Sequence, residues 1–297
     1  MTKNVAASVK ARLKNIAKEK DLNFDFVILR FMQERFLYRL SKSDYKDNFT
    51  LKGGLVLTLL GVSEFRPTKD IDFLGEKIEN DQKAIKNIIK DICGTKVEDD
   101  GLKFLHTSIT TEIIKEGADY EGVRIKLDVN LDSVLKKIAL DVGFGDALSQ
   151  DVIVLPYPGM LDYDEANIKI YPFESVISEK LESIVKLNYS TSRMKDFFDI
   201  HFLAENHKFT RSELLKSLET TFSKRKTSLD GLNVVYSDEF INGKNFETQW
   251  KAFLKRNELN VNKSFSEIAS QIIKFIKPLF ESKEAGENWN PKKWVWE

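Results

Sequence analysis

The sequence predicts an α+β fold, with a mixed sheet and its helices in the first half and a mainly helical domain in the second. Three observations lead there. Apolar and polar residues alternate at 69–74, 103–115 and 123–131, the pattern of half-buried strands. Apolar residues recur at helical spacing at 5–18, 24–40 and 79–92. Beyond Leu155-Pro-Tyr-Pro-Gly159, where two prolines and a glycine mark a connection, the spacing becomes mostly helical. The expected division is 1–158 and 159–297, with the helical domain completing the cleft of the first.

Composition excludes several classes. Lysine plus arginine equals aspartate plus glutamate at 46 each, so no global basic field announces a nucleic-acid partner. The single cysteine, Cys93, rules out an internal disulfide framework and reads as a small buried hydrophobe. No apolar run reaches the ~18 residues of a membrane span and the N-terminus lacks a signal-peptide core, so a cytoplasmic location without membrane contact is expected. His106, His201 and His207 are scattered, with no zinc spacing. Neither a Walker A sequence nor a Gly-x-Ser-x-Gly elbow occurs, which weighs against P-loop NTPases and hydrolases of that type.

Taken in order, 5–18 lines up Val5, Val9, Leu13, Ile16 and Ala17 against a basic opposite face, and 24–40 offers Phe24, Val27, Ile28, Phe31, Phe36 and Leu40 to a core. Phe49 and Leu51 read as a short strand and 55–60 as the helix after it, which puts Gly53 and Gly54 at a helix N-terminus. There the first amides lack partners and the dipole is positive, so a phosphate can bind, although a plain turn uses the same pair. Lys52 and Arg66 flank this stretch and can also meet phosphate. In 69–74 the alternation sets Asp70 and Asp72 on one face, Ile71 and Phe73 on the other. Two carboxylates so placed repel unless a cation lies between them. Hard oxygen donors at this spacing suit Mg²⁺ or Mn²⁺ held jointly with phosphates; the alternative is a solvated acidic edge.

The isoleucines Ile85, Ile88, Ile89 and Ile92 repeat at helical spacing and are explained by packing. In 123–131, Val123, Ile125, Leu127 and Val129 share one face, which leaves Arg124, Lys126, Asp128 and Asn130 on the other. A third carboxylate beside an Asp-x-Asp strand can ligate metal or draw a proton from an attacking hydroxyl. Asp128 is the candidate, with Asp132 as second choice. In 173–187 Lys180 lies near the edge of a broad apolar face, as a compact charge for a triphosphate or as the partner of Glu179 or Glu182. On the next helix Asp196 and Asp199 are same-face neighbours, with Lys195 one turn from Asp199. They can orient a lysine, a metal-bound water or an acceptor hydroxyl, or simply close a salt-bridged turn. Helical patterns at 211–226, 246–254 and 265–280 follow, and the tail holds three of the four tryptophans, whose rings pack back on the domain or bind a partner.

Four blocks stand in sequence: Phe49-Thr-Leu-Lys-Gly-Gly, Arg66-Pro-Thr-Lys-Asp-Ile-Asp-Phe, Ser178-Glu-Lys-Leu-Glu and Ser192-Arg-Met-Lys-Asp-Phe-Phe-Asp. Together they resemble the nucleotidyltransferase signature, and more narrowly the AbiEii/AbiGii family of type IV toxin–antitoxin and abortive-infection systems. The resemblance implies a nucleotidyltransferase-like sheet and transfer of a nucleotide from an NTP to an acceptor hydroxyl, with the tRNA 3′ end as acceptor and translation as the process blocked. It further implies Asp70, Asp72 and Asp128 as the metal set, Lys180 and Asp196 as catalytic groups, and Lys52, Gly53, Gly54, Arg66, Lys180, Lys195 and Asp199 on the nucleotide. A cognate antitoxin, a DNA-binding repressor encoded nearby, is the implied partner. One departure stands out: Gly54 is followed by Leu55, where many such enzymes carry a phosphate-binding serine or threonine. The same residues also suit a transferase acting on a small molecule such as an antibiotic, or a non-catalytic NTP-binding regulator.

Overall fold

The computed structural model describes residues 4–60, 68–116, 120–281 and 286–297, and these fall into two compact units. The first contains α1 (Val5–Glu19), α2 (Phe24–Lys42), β1 (Phe49–Lys52), a 3₁₀ run at Gly53–Leu60, β2 (Asp70–Gly75) and α3 (Gln82–Cys93). It continues through β3 (Leu102–Phe104), β4 (Thr110–Glu116), β5 (Tyr120–Leu131), β6 (Val134–Phe144), β7 (Ile153–Tyr157) and β8 (Ala166–Ile170). The eight strands form one sheet in the order β3-β5-β6-β2-β1-β8-β7, with β4 also on β5. The sheet is mixed because β2 runs antiparallel to β1 but parallel to β6, and β1 is parallel to β8.

Period-two alternation divides the chemistry of this sheet. Phe49, Leu51, Ile71, Phe73, Ile125, Leu127, Ile138, Leu140 and Val142 are buried on one face. On the helical side α1 packs on α2 and β5, α2 on β6 and β8, and α3 on β4 and β5. The side chains of Asn4, Asn23 and Asp81 accept from the first amides of α1, α2 and α3, which fixes where each helix starts. The same registers place Lys52, Asp70, Asp72, Arg124, Lys126, Asp128 and Asp141 together on the opposite face.

Three sequence expectations are corrected here. The stretch 103–115 is not one strand: a 3₁₀ turn at His106–Ser108 separates β3 from β4, and both lie on β5. The turn stays fastened to Asp128, whose N–H donates to Ser108 Oγ at 2.8 Å and whose C=O accepts from the Leu105 N–H at 2.9 Å. The run 55–60 is wound as a 3₁₀ helix from Gly53, with Gly54 to Thr58 all buried, so packing on every side shapes it where an amphipathic face is missing. The first unit also does not end at the Pro-Gly cluster. Pro156 sits in β7, an edge strand where its missing N–H is tolerated, and β8 returns to pair with β1. The division falls between Tyr171 and Pro172, and residues 146–151 go with the second unit.

Two features of α2 show how charge is handled inside this unit. Arg35 Nε and Arg39 Nη1 donate to Asp100 Oδ2 at 3.0 and 2.7 Å, with all three side chains buried. Burial pushes the Asp100 carboxyl up, but the hydrogen bonds and charges of Arg39 and Arg35 outweigh it and hold the group below the usual carboxylate range. Glu34 fares differently. It accepts from the Met160 N–H at 2.8 Å while its Oε1 is buried with no hydrogen-bond partner, and desolvation raises its pKa to about 7.

The second unit holds α4 (Phe173–Leu187), α5 (Met194–Asn206), α6 (Arg211–Lys224), the short α7 (Leu232–Val235) and α8 (Asp238–Ile241), α9 (Lys244–Arg256) and α10 (Phe265–Glu281). A two-stranded ribbon of β9 (Trp289–Asn290) and β10 (Val295–Trp296) closes it. The tail is structural: Trp289, Trp294 and Trp296 donate their indole N–H groups to the carbonyls of Ala204, Gln271 and Phe275. Among the described residues no helix is long and apolar enough to cross a membrane.

Glu34 supplies a test of this packing. Its folded pKa lies above the unfolded value of 4.5, so the folded state holds a proton that the unfolded chain releases, and stability falls as pH rises from 4.5 to about 7. Glu34→Gln removes that penalty, at most about 3 kcal/mol. Urea unfolding is expected to show the variant more stable than wild type at pH 8, with the advantage vanishing below pH 5.

Candidate active site

The site in the first unit is a row across four strands. Lys52 on β1 is the register partner of Asp72 on β2, and Asp72 is in turn the partner of Asp141 on β6. Antiparallel β5 then brings Arg124 opposite Asp141. Asp70 sits two residues before Asp72 on the same face, and both are half-buried. Directly after Lys52 the chain turns through Gly53 at φ +67°, and a Cβ there would lie 2.1 Å from Asp72 Oδ2. Glycine is required twice over: for the left-handed backbone and for a carboxylate that fills the space of a side chain. The 3₁₀ run thus starts against Asp72, with the amides of Gly53 and Gly54 at its open end.

Arg124 and Asp141 form a bidentate pair, Nε to Oδ1 at 2.7 Å and Nη2 to Oδ2 at 2.6 Å, with Asp141 buried. The Asp141 hydrogen bond raises the Arg124 pKa against the opposing effect of desolvation, and the charges of Asp70 and Glu112 add to the rise. The guanidinium therefore stays charged and balances an otherwise repulsive row of acids. Lys52 is also buried, with Nζ 5.9 Å from the centre of the Tyr171 ring.

The sequence candidates for the third carboxylate are placed elsewhere. Asp128 pairs in register with Lys137, two residues before the partner of Asp70, and its Oδ1 accepts from Lys137 Nζ at 2.6 Å. Two strands across and two residues along put it about 12 Å from Asp70. Asp132 is a turn residue of the β5–β6 hairpin, at φ +54°, and is tied to Lys10 at 2.8 Å. The carboxylate beside Asp72 is Asp141, which the sequence reading passed over together with the role of Arg124. Both were traceable: the alternation of Ile138, Leu140 and Val142 marks β6, and a two-residue turn at Asp132-Ser133 forces Arg124 opposite Asp141. Arg66 lies outside the described residues.

The second unit has its own charged cluster. Lys180 Nζ on α4 donates to Asp199 Oδ2 at 2.5 Å and Asp196 Oδ1 at 3.3 Å on α5. Arg193 Nε donates to Asp196 Oδ2 at 2.5 Å. Both aspartates are fully buried. The structure thus joins Lys180, Asp196 and Asp199, while Lys195 is exposed one residue away. Glu179 and Glu182, the rival partners of Lys180, instead receive Arg225, each at 3.0 Å.

Among the described residues no group of three or more His, Cys, Asp or Glu could hold a metal ion alone. Asp141 is clamped by Arg124, so Asp70 and Asp72 are the remaining strand donors. Two carboxylates fit a Mg²⁺ or Mn²⁺ ion that takes its other ligands from phosphates and water. The space that a Cβ at Gly53 would fill keeps backbone close to that carboxylate.

Burial makes the second cluster directly testable. Lys180→Met leaves two buried carboxylates short of their cation, a loss of roughly 3–5 kcal/mol. Urea unfolding should recover most of that loss when Asp196→Asn and Asp199→Asn are added, because the uncompensated charges are then gone.

The sequence profile of the family described as "Nucleotidyl transferase AbiEii toxin, Type IV TA system" matches residues 35–271, most of the chain. MenT4, a nucleotidyltransferase toxin of Mycobacterium tuberculosis, superposes with a TM-score of 0.58 over 97% of this chain and 92% of its own, at 15% identity. JHP933 of Helicobacter pylori gives a TM-score of 0.50 over 84% of this chain and 91% of its own, at 19% identity. At such identities the likeness is one of fold. No curated protein matches the sequence significantly. The profile match, over the glycine turn, the Asp-x-Asp strand and the Lys180 cluster, establishes that this chain belongs to the AbiEii family of nucleotidyltransferase toxins of type IV toxin–antitoxin systems.

Proposed function

We propose that the protein transfers a nucleotide from an NTP to an acceptor hydroxyl, with Mg²⁺ as cofactor and the tRNA 3′ end as acceptor, and that this blocks translation. The observation that supports the reading is the row Lys52–Asp72–Asp141–Arg124 with Gly53 against Asp72, because two carboxylates beside a glycine turn suit a metal-bound triphosphate. In the reaction the acceptor hydroxyl oxygen bonds to the α-phosphorus and releases its proton to water, the bond from that phosphorus to the β-phosphate bridge breaks, and pyrophosphate leaves. Asp70 and Asp72 would hold the metal, which supplies neutralisation of charge on the phosphates.

The chain's own groups do the rest by position and charge, as suits a loose phosphoryl-transfer transition state. Gly53 and Gly54 offer N–H groups to the triphosphate and Lys52 adds a cation. Arg124 engages both Asp141 oxygens, so its guanidinium charge offsets the third carboxylate of the row. Lys180, Asp196 and Asp199 contribute the second set of groups, Lys180 as a fixed cation and the aspartates as its positioning partners. An antitoxin that represses its own operon would be the biological counterweight.

The test is a transfer assay with each α-³²P-labelled NTP, Mg²⁺ and total bacterial RNA. Wild type should label tRNA-sized RNA, and Asp72→Ala should lose at least about 10²-fold. Asp141→Asn, which releases Arg124 onto Asp70 and Asp72, should lose at least about tenfold, whereas Asp128→Asn should stay within about twofold. Equal labelling by Asp72→Ala would overturn the reading. Labelling confined to small molecules or to the protein itself would replace the acceptor.

A further inference from the structure

In the second unit, a pocket of about 430 Å³ opens between the start of α5 and the last turns of α9, lined by Arg193, Lys195, Gln249, Phe253, Arg256 and Asn257 among others. That is the size range of small-ligand sites, about 300–1,000 Å³. Among the described residues that line it are three cations and no acidic residue. Arg256 is exposed at the end of α9, and Arg193, with 44% of its side chain exposed, uses Nε on Asp196. The Phe253 ring is half-buried, backed by Trp250 at 5.5 Å and an interplanar angle of 28°. Gln249 Oε1 is buried without a hydrogen-bond partner, and Asn257 fixes its amide by donating to the Phe253 carbonyl at 2.8 Å.

Each element matches one part of a nucleotide in a single strand. An aromatic face takes a base by stacking, side-chain amides meet a base edge, and arginines meet backbone phosphate. An NTP fits the same pocket poorly: its polyphosphate travels with a divalent ion, and the described lining residues offer no carboxylate to that ion. A duplex fits poorly as well, since its bases are stacked and their faces hidden. The unpartnered amide acceptor of Gln249 and the three cations of the lining favour a ligand that carries donors and negative charge.

We infer that this pocket binds one unpaired nucleotide of the acceptor RNA, with the base on Phe253 and Gln249 and a phosphate on Arg256 and Arg193. The inference deepens the transferase reading by giving its acceptor a seat outside the carboxylate row. It is independent of the chemistry, since binding can be measured without transfer.

The experiment is fluorescence anisotropy of a labelled hexaribonucleotide, single-stranded or annealed to its complement, on full-length wild type, Phe253→Ala, Arg256→Glu and Asp72→Ala. Thermal unfolding of each variant confirms the fold, and Arg256→Glu is exposed enough to leave it intact. The single strand should bind wild type and Asp72→Ala equally and the duplex at least about tenfold more weakly. Phe253→Ala should weaken single-strand binding at least about tenfold, the range of one lost base stack. Arg256→Glu should weaken single-strand binding and lower the slope of log affinity against log salt by at least about 0.7. Equal binding by folded pocket variants, equal binding of duplex, or loss of NTP affinity in place of RNA affinity would overturn the inference. RNA binding that needs the pocket, in a wild type that transfers nothing, would sink the transferase reading and leave the pocket standing.

Discussion

The constraint on which the first unit depends is electrostatic: three carboxylates, Asp70, Asp72 and Asp141, share one face of two adjacent strands. Such a row is stable only with cations built in. Arg124 takes Asp141 in a bidentate grip, and Lys52 lies at the register position across Asp72. Asp70 and Asp72 lie half-buried on that face beside the turn at Gly53, in a row partly balanced before any metal arrives. Gly53 is the steric side of the same constraint, since Asp72 occupies the volume that any side chain there would need.

The second unit solves a related problem by burial. Asp196 and Asp199 lie on one face of α5, fully removed from water, and Lys180 reaches both from α4. Removing both charges from water costs several kcal/mol, so the pairing must hold closely or not at all. A lysine held by two buried carboxylates is fixed in place. The same α5 start carries Arg193 from this cluster to the pocket that α9 completes, so one short segment joins a buried ionic cluster to an open recognition surface.

Much of this was legible in the sequence because period and chemistry agreed. Asp70 and Asp72 alternate with Ile71 and Phe73, and the sheet buries the latter pair as alternation requires. Lys180, Asp196 and Asp199 could be named from helical spacing together with a family resemblance, although spacing alone also allowed Lys180 to pair with Glu179 or Glu182. Asp141 was missed because strand order is a tertiary fact: β6, not β5, lies beside β2. Asp128 was plausible on its own strand and wrong for its neighbour. Gly53 was read as a phosphate-facing glycine, whereas its contact with Asp72 depends on the β1–β2 register. The pocket on α5 and α9 was not legible at all, since its two sides, which end at Lys195 and begin at Gln249, lie 54 positions apart in the chain and only packing brings them together.

The account rests on Asp70 and Asp72 holding a metal together with an NTP, so the most direct measurement is Mn²⁺ electron paramagnetic resonance with a non-hydrolysable α,β-methylene NTP analogue. Wild type should bind Mn²⁺ weakly alone and much more tightly once the analogue is present, since two carboxylates supply only part of the coordination shell. Asp72→Asn should abolish that enhancement while the protein remains folded. Tight Mn²⁺ binding without nucleotide, or an enhancement unchanged in Asp72→Asn, would contradict the account.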